Sequence, residues 1–137
     1  MKISARNQFS GVVTNIDEGA VNGIVTLDAA GTRITGTISM AAIRELGLAE
    51  GVKATAVVKA TEVMVGLGEL KLSARNQLRG TVTKIDRGVV NAIVSITLPS
   101  GTVVSATIST AAVDELGLKV GGEAVAVIKA TSVMLGV

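Results

Sequence analysis

The chain contains the stretch GTRITGTISMAAIRELGL at residues 31–48 and a close copy of it, GTVVSATISTAAVDELGL, at residues 101–118. Each copy begins with alternating polar and apolar residues, which is typical of a β-strand with one buried face. After Ser39 the apolar residues recur at the three- and four-residue spacing of a helix. Ser39 is a good helix N-cap and Gly47 a good C′ residue. Both copies are therefore predicted to run from a strand directly into a short helix.

The similarity between the two copies extends over the whole chain, which is therefore a tandem repeat. Residues 1–27 share 16 identities with residues 70–96, and residues 31–67 share 21 with residues 101–137. A unit of about 68 residues is longer than most solenoid repeats, so it is better explained as a small domain in duplicate. We predict two domains, 1–67 and 68–137.

Each copy shows three strands, a helix and two further strands. In the first copy the predicted strands are Gln8 to Ile16, Ala20 to Leu27, Thr32 to Ser39, Lys53 to Lys59 and Glu62 to Val65. This order of elements is typical of a small five-stranded OB-like barrel. The predicted fold class is mainly all-β, with two tandem OB-like five-stranded β-barrel domains that each contain one short helix.

The composition excludes several kinds of protein. The 137 residues include no Cys and no His, which removes disulfides, zinc ribbons and Cys or His catalysis. Phe9 is the only aromatic residue and the formal net charge is +2, which argues against a base-stacking platform or a polybasic surface. No run of about 20 predominantly apolar residues and no apolar signal core occurs. We expect a soluble, cytoplasmic protein.

A domain of this size buries little apolar volume. Cores of about 68 residues are usually marginal without disulfides, a structural metal or oligomerisation. Because the chain has no cysteine and no evident metal site, a homo-oligomer is predicted.

Both copies keep the same small set of polar groups. The recurring segments are SARNQ at 4–8 and 73–77, TIS at 37–39 and 107–109, and KAT at 59–61 and 129–131. This set of hydrogen-bond donors suits a tetrahedral oxyanion. It consists of the planar guanidinium of an Arg, the ammonium of a Lys, several hydroxyls and a helix N-terminus. Charge-assisted hydrogen bonds contribute about 1.5–3 kcal/mol each, so four or five would support a micromolar complex.

Structural roles are open for each of these residues. Arg6 and Arg75 suit surface salt bridges, and Lys59 and Lys129 suit solvated strand edges that resist aggregation. The remaining alternatives are simple helix caps for Ser39 and Ser109, turn residues for Asn22 and Asn91, and core packing for Met64 and Met134.

Taken together, these motifs resemble the molbindin, or Mop-domain, family. SARNQ is followed by a strand that begins at a glycine, then by TIS and LGL, and finally by VVKATEVM or VIKATSVM. Two such units in one chain resemble the tandem (di-Mop) molybdenum-binding proteins of bacteria, and the resemblance covers essentially the whole chain.

The resemblance implies binding of molybdate or tungstate at domain and subunit interfaces, in a homo-oligomer that is a trimer for tandem members. Such binding needs no cofactor and no bond from a protein atom to the metal. The implied ligand residues are Ser4, Ala5, Arg6, Ser39, Lys59, Ala60 and Thr61, with Ser73, Ala74, Arg75, Ser109, Lys129, Ala130 and Thr131 in the second copy. The candidates for axial anion sites are Val21, Asn22, Val90 and Asn91. No DNA-binding or ATPase domain is evident, which favours molybdenum storage or homeostasis.

The two copies differ near these residues. Glu62 is replaced by Ser132, Arg44 by Asp114 and Arg33 by Val103. We expect the copies to differ in affinity or in the interface that they face.

Three other functions stay open on the sequence. An OB-type nucleic-acid-binding module is the main alternative, although the charge and the missing aromatics argue against it. A Ser/Lys enzyme is conceivable because a lysine can be tuned as a base, but no cleft is evident. A purely structural oligomer without a ligand is the third.

Overall fold

The structure, a computed structural model, describes residues 1–137 and consists mostly of β-strands joined by tight turns. The strands are β1 Asn7–Glu18, β2 Asn22–Ala29, β3 Thr32–Ser39, β4 Lys53–Val58, β5 Met64–Gly66, β6 Asn76–Arg87, β7 Asn91–Thr97, β8 Val103–Ser109, β9 Glu123–Ile128 and β10 Met134–Gly136. Two short helices, α1 Met40–Glu45 and α2 Thr110–Leu116, follow β3 and β8. The mainly all-β fold class is confirmed, and no helix has the length and apolar character that a membrane crossing requires.

The strands form two five-stranded antiparallel sheets. One has the order β10-β4-β1-β2-β3 and the other the order β5-β9-β6-β7-β8. The chain divides into two compact units that match these sheets. The first unit contains Met1–Val58 and Lys129–Val137, and the second contains Lys59–Ile128.

Each sheet therefore takes its fifth strand from the other sequence repeat. In the first unit Met134, in β10, pairs with Val57. In the second unit Met64, in β5, pairs with Val127. The segments that carry these strands, VVKATEVMVG and VIKATSVMLG, are identical at seven of ten positions. The division into domains 1–67 and 68–137 stays a prediction, and the two compact units contain different residue ranges from these domains.

The apolar side chains that alternate along the strands face inward and form each core, as the sequence pattern predicts. Phe9 and Val13 point inward from β1, and Leu27 and Ile34 join them from β2 and β3. In the second unit the fully buried side chains include Val82, Val94, Ile96, Val104 and Ile128. A bulge between Val13 and Asn15 interrupts the β1–β2 register, as a bulge between Val82 and Lys84 does in β6–β7.

One glycine in each long strand permits a close backbone approach. A Cβ on Gly11 would collide with the carbonyl oxygen of Asp28, and a Cβ on Gly80 would collide with that of Thr97. Because the obstacle is backbone, a larger residue at either position would force the two strands apart.

The predicted helix caps are confirmed. The backbone amide of Ala42 donates to Ser39 Oγ at 3.0 Å, and that of Ala112 donates to Ser109 Oγ at the same distance. Gly117 ends α2 with a φ of 62°, in the left-handed region that glycine enters readily.

Candidate functional site

The Ser4–Arg6 segment is held as a turn in front of β1 by a neighbouring side chain. Gln8 Nε2 donates to the carbonyl oxygens of Ile3 at 3.2 Å and Ala5 at 3.1 Å. The second copy repeats the arrangement, since Gln77 Nε2 donates to the carbonyls of Leu72 at 3.2 Å and Ala74 at 3.0 Å. Ser4 and Arg6 are exposed, so the turn presents a hydroxyl and a guanidinium to solvent.

The lysine segments have one shape in both copies. Lys59 is extended, with φ −68° and ψ 139°, and a 3₁₀ turn at Ala60–Glu62 follows it. The amide of Glu62 closes the turn by donating to the carbonyl of Lys59 at 2.9 Å. Ala60 and Val63 are buried and anchor the turn, whereas Lys59 and Thr61 are exposed. The 3₁₀ turn lies where a strand was predicted to begin at Glu62, and the short strand starts two residues later, at Met64.

A buried asparagine fixes the ends of these segments. Asn76 is only 2% exposed, and its Nδ2 donates to the carbonyl of Ile128 at 3.2 Å. Asn76 directly follows Arg75, and Ile128 directly precedes Lys129. In the first unit the equally buried Asn7 pairs with Val58 in the β1–β4 ladder.

These Asn and Gln residues were missed as functional residues. They position the segments that are predicted to bind the anion without being part of the predicted ligand set. The signal that identifies them is the recurrence of Asn-Gln within SARNQ in both copies.

Four cations of the predicted set are exposed and have no ion pair in the chain: Arg6, Lys59, Arg75 and Lys129. The two ion pairs lie elsewhere, between Lys84 and Asp86 at 3.4 Å and between Arg87 and Asp114 at 3.0 Å. The alternative role of Arg6 and Arg75 as intrachain salt-bridge partners is therefore wrong. No group of three or more acidic, Cys or His side chains is placed to hold a metal ion.

Ser39 lies away from the Ser4–Arg6 turn within its own unit. It pairs with Asn22 at the end of the β2–β3 ladder, next to the Glu18 end of β1. The Ser4–Arg6 turn precedes β1 at its opposite end, Asn7. Ser109 has the same place in the second unit, opposite Asn91. Each serine hydroxyl already accepts the helix-cap hydrogen bond.

The predicted axial residues lie beside these serines. The carbonyl of Val21 accepts from the Met40 amide at 2.8 Å, and that of Val90 accepts from the Thr110 amide at 2.8 Å. Val21 is 74% exposed and Val90 is 69% exposed. Val21 and Asn22 therefore share one end of the first unit with Ser39.

The exchange of terminal segments divides the predicted residues between the units. The first unit contains Ser4, Ala5, Arg6, Val21, Asn22, Ser39, Lys129, Ala130 and Thr131. The second unit contains Lys59, Ala60, Thr61, Ser73, Ala74, Arg75, Val90, Asn91 and Ser109.

Several known proteins are similar to this chain in sequence. The molybdenum transport protein ModE of Herbaspirillum seropedicae is 43% identical over 140 residues, and the match covers all of this chain and 52% of ModE. The chain thus spans about half the length of that relative. A probable molybdenum-pterin-binding protein of Haemophilus influenzae is 62% identical over 68 residues, which is 50% of this chain and 99% of that protein.

A solved structure shares the fold over the full length. The cytoplasmic molybdate-binding protein ModG, with molybdate bound, superposes with a TM-score of 0.96 at 46% identity. The match covers 100% of this chain and 99% of ModG. The TOBE domain family model matches twice, at residues 3–65 and 72–135. The chain belongs to the TOBE domain family, as a tandem of two Mop-type domains.

Proposed function

We propose that the chain binds molybdate, with tungstate as a close analogue, and holds the anion by hydrogen bonds without changing it chemically. The observation that carries the proposal is the set of four exposed, unpaired cations, Arg6, Lys59, Arg75 and Lys129, on segments with a fixed backbone. Relatives over the full length of the chain are named for molybdenum transport or molybdate binding, which supports this ligand over nucleic acid.

The mechanism follows from the donor types. Molybdate is a tetrahedral dianion, so its oxygens accept hydrogen bonds from several directions. Each copy supplies one guanidinium, one ammonium and the hydroxyls of a Ser and a Thr, all of which donate. No protein atom replaces an oxygen of the anion, so the bound anion keeps its tetrahedral form and leaves by simple dissociation.

The exposure of these donors has a consequence for assembly. Ser4, Arg6 and Lys59 of the first copy and Ser73, Arg75 and Lys129 of the second are all open to solvent in the single chain. An anion held by such donors against water needs cover, and we propose that further copies of the chain provide it in a homotrimer. Because such a site exists only in the oligomer, bound molybdate stabilises the assembly by mass action.

We propose further that this binding serves molybdenum storage in the cytoplasm and includes no catalysis. A cation-rich, reversible site without an acid–base pair suits uptake and release of an anion. ModG is itself named a cytoplasmic molybdate-binding protein.

A calorimetric titration with molybdate tests the site, using two variants of equal charge. The test variant changes Arg6, Lys59, Arg75 and Lys129 to Ala. The control changes Arg33, Arg44, Lys53 and Lys119 to Ala; these cations are also exposed and without ion pairs.

Both variants lower the formal net charge by four, so they share any long-range effect on anion attraction. We expect the test variant to lose at least about a hundredfold in affinity and the control to stay within about threefold. Equal losses in the two variants would remove the four residues from the site.

A further inference from the structure

The Lys59 segment (Lys59–Thr61) and the Lys129 segment (Lys129–Thr131) form a matched pair within one chain. Lys59 and Lys129 have the same backbone conformation, with φ of −68° and −66° and a ψ of 139° in both. The closing hydrogen bonds of the two turns are also equal, at 2.9 Å from the amides of Glu62 and Ser132.

The anchoring of the two turns is also the same. Ala60 and Ala130 are each 7% exposed, and the valines that follow the turns, Val63 and Val133, are 2% and 3% exposed. The backbone shape and the burial of the anchoring Ala and Val residues therefore give no reason for the two segments to differ in affinity.

The residue after the threonine is the chemical difference between the segments. It is Glu62 in the Lys59 segment and Ser132 in the Lys129 segment. Glu62 is exposed, on the third residue of its turn, one position from Thr61. A carboxylate there repels a dianion that the neighbouring lysine attracts, whereas the serine is neutral.

We propose that Glu62 makes the site at the Lys59 segment weaker than the site at the Lys129 segment, so that the chain has two classes of molybdate site. The proposal rests on the proposed function and adds an order of affinity and the residue that sets it. The repulsion between one charge and a dianion in an aqueous environment corresponds to roughly a tenfold difference in affinity.

Two classes of site with different affinities would widen the range of free molybdate concentration over which the protein binds the anion. The Lys129 segment fills first, and the Lys59 segment follows when free molybdate rises by about another factor of ten. Such a protein takes up and releases anion over a broader concentration range than one with equal sites, which suits a store that also buffers.

Calorimetric titration of the full chain with sodium molybdate tests this, using Glu62→Ser, Glu62→Gln and Ser132→Glu. The first two variants remove the charge with different side-chain sizes, and the third adds it to the matched position. We expect two affinity classes in the wild type. Both Glu62 variants should strengthen the weak class about tenfold, and Ser132→Glu should weaken the strong class similarly.

Raising the salt concentration should reduce the difference between the classes, because the repulsion is screened. Thermal unfolding followed by circular dichroism shows whether each variant retains the fold. A wild type that binds molybdate in one class, or a weak class that neither Glu62 variant strengthens, would overturn the inference and leave molybdate binding intact. A wild type that binds no molybdate would instead overturn the proposed function.

Discussion

The side-chain amide of Asn76 donates a hydrogen bond to the backbone carbonyl of Ile128 at 3.2 Å, inside the core of the second unit. The two residues are also paired in the β6–β9 ladder. Arg75 precedes one of them and Lys129 follows the other, so a single buried contact fixes the points at which both segments leave the sheet.

Replacing Asn76 with Ala should destabilise the chain by about 1–3 kcal/mol. The substitution leaves the Ile128 carbonyl without this donor in a buried position, which incurs its desolvation cost. Urea unfolding followed by circular dichroism measures the change. A loss below about 0.5 kcal/mol, the size expected of an exposed substitution, would show that the buried hydrogen bond has no role in stability.

Replacing Gln8 with Ala should weaken molybdate binding while leaving stability within about 1 kcal/mol of the wild type. Gln8 is exposed, but its two hydrogen bonds hold the Ser4–Arg6 turn, and a turn that is no longer pre-ordered must lose entropy on binding. We expect a loss of a few-fold to about tenfold in affinity by calorimetry. Asn15→Ala, another exposed amide in β1, is the matched control and should bind as the wild type does. Equal affinities for the Gln8 and Asn15 variants would contradict a positioning role.

Replacing Gly80 with Ala should destabilise the second unit by at least about 2 kcal/mol. The new methyl group meets the Thr97 carbonyl, and backbone cannot move aside without breaking the β6–β7 ladder. Thr81→Ala, at the exposed next position, should change stability by about 0.5 kcal/mol or less. Comparable unfolding midpoints for the two variants would show that the strands have room to separate at this point.

Deleting Met134–Val137 should expose β4 and spare β9. The residues of β10 pair with β4, from Met134 opposite Val57 to Gly136 opposite Thr55, whereas β9 pairs with β5. Hydrogen exchange measured by mass spectrometry should show loss of amide protection in Lys53–Val58, because these amides become an open sheet edge. Loss of protection in Glu123–Ile128 instead would mean that each repeat keeps its own last strand.

Much of this fold is predictable because its signals are local. Alternation identifies β3 at Thr32–Ser39 with the bounds that the structure has, and the cap at Ser39 depends on that residue and the three that follow. The exposure of Arg6 and Lys59 is equally local, because each is a charged residue just outside the end of a strand.

The long-range features are not predictable in this way. The last strands β5 and β10 lie in segments that are identical at seven of ten positions, so the sequence pattern does not distinguish pairing within a repeat from the exchanged pairing of β5 with β9. The distance of Ser39 from Ser4 depends on the sheet register, which no single segment encodes. The role of Asn76 depends on its burial, which a polar residue at the start of a strand does not indicate.

Equilibrium dialysis of the wild-type chain against sodium molybdate, with molybdenum quantified by inductively coupled plasma mass spectrometry, measures the central claim directly. We expect molybdenum retained by the protein to reach saturation at micromolar free anion and to be displaced by excess tungstate. Retention that rises in proportion to free molybdate without saturating, or that equals retention by a protein of similar charge outside this family, would contradict the account.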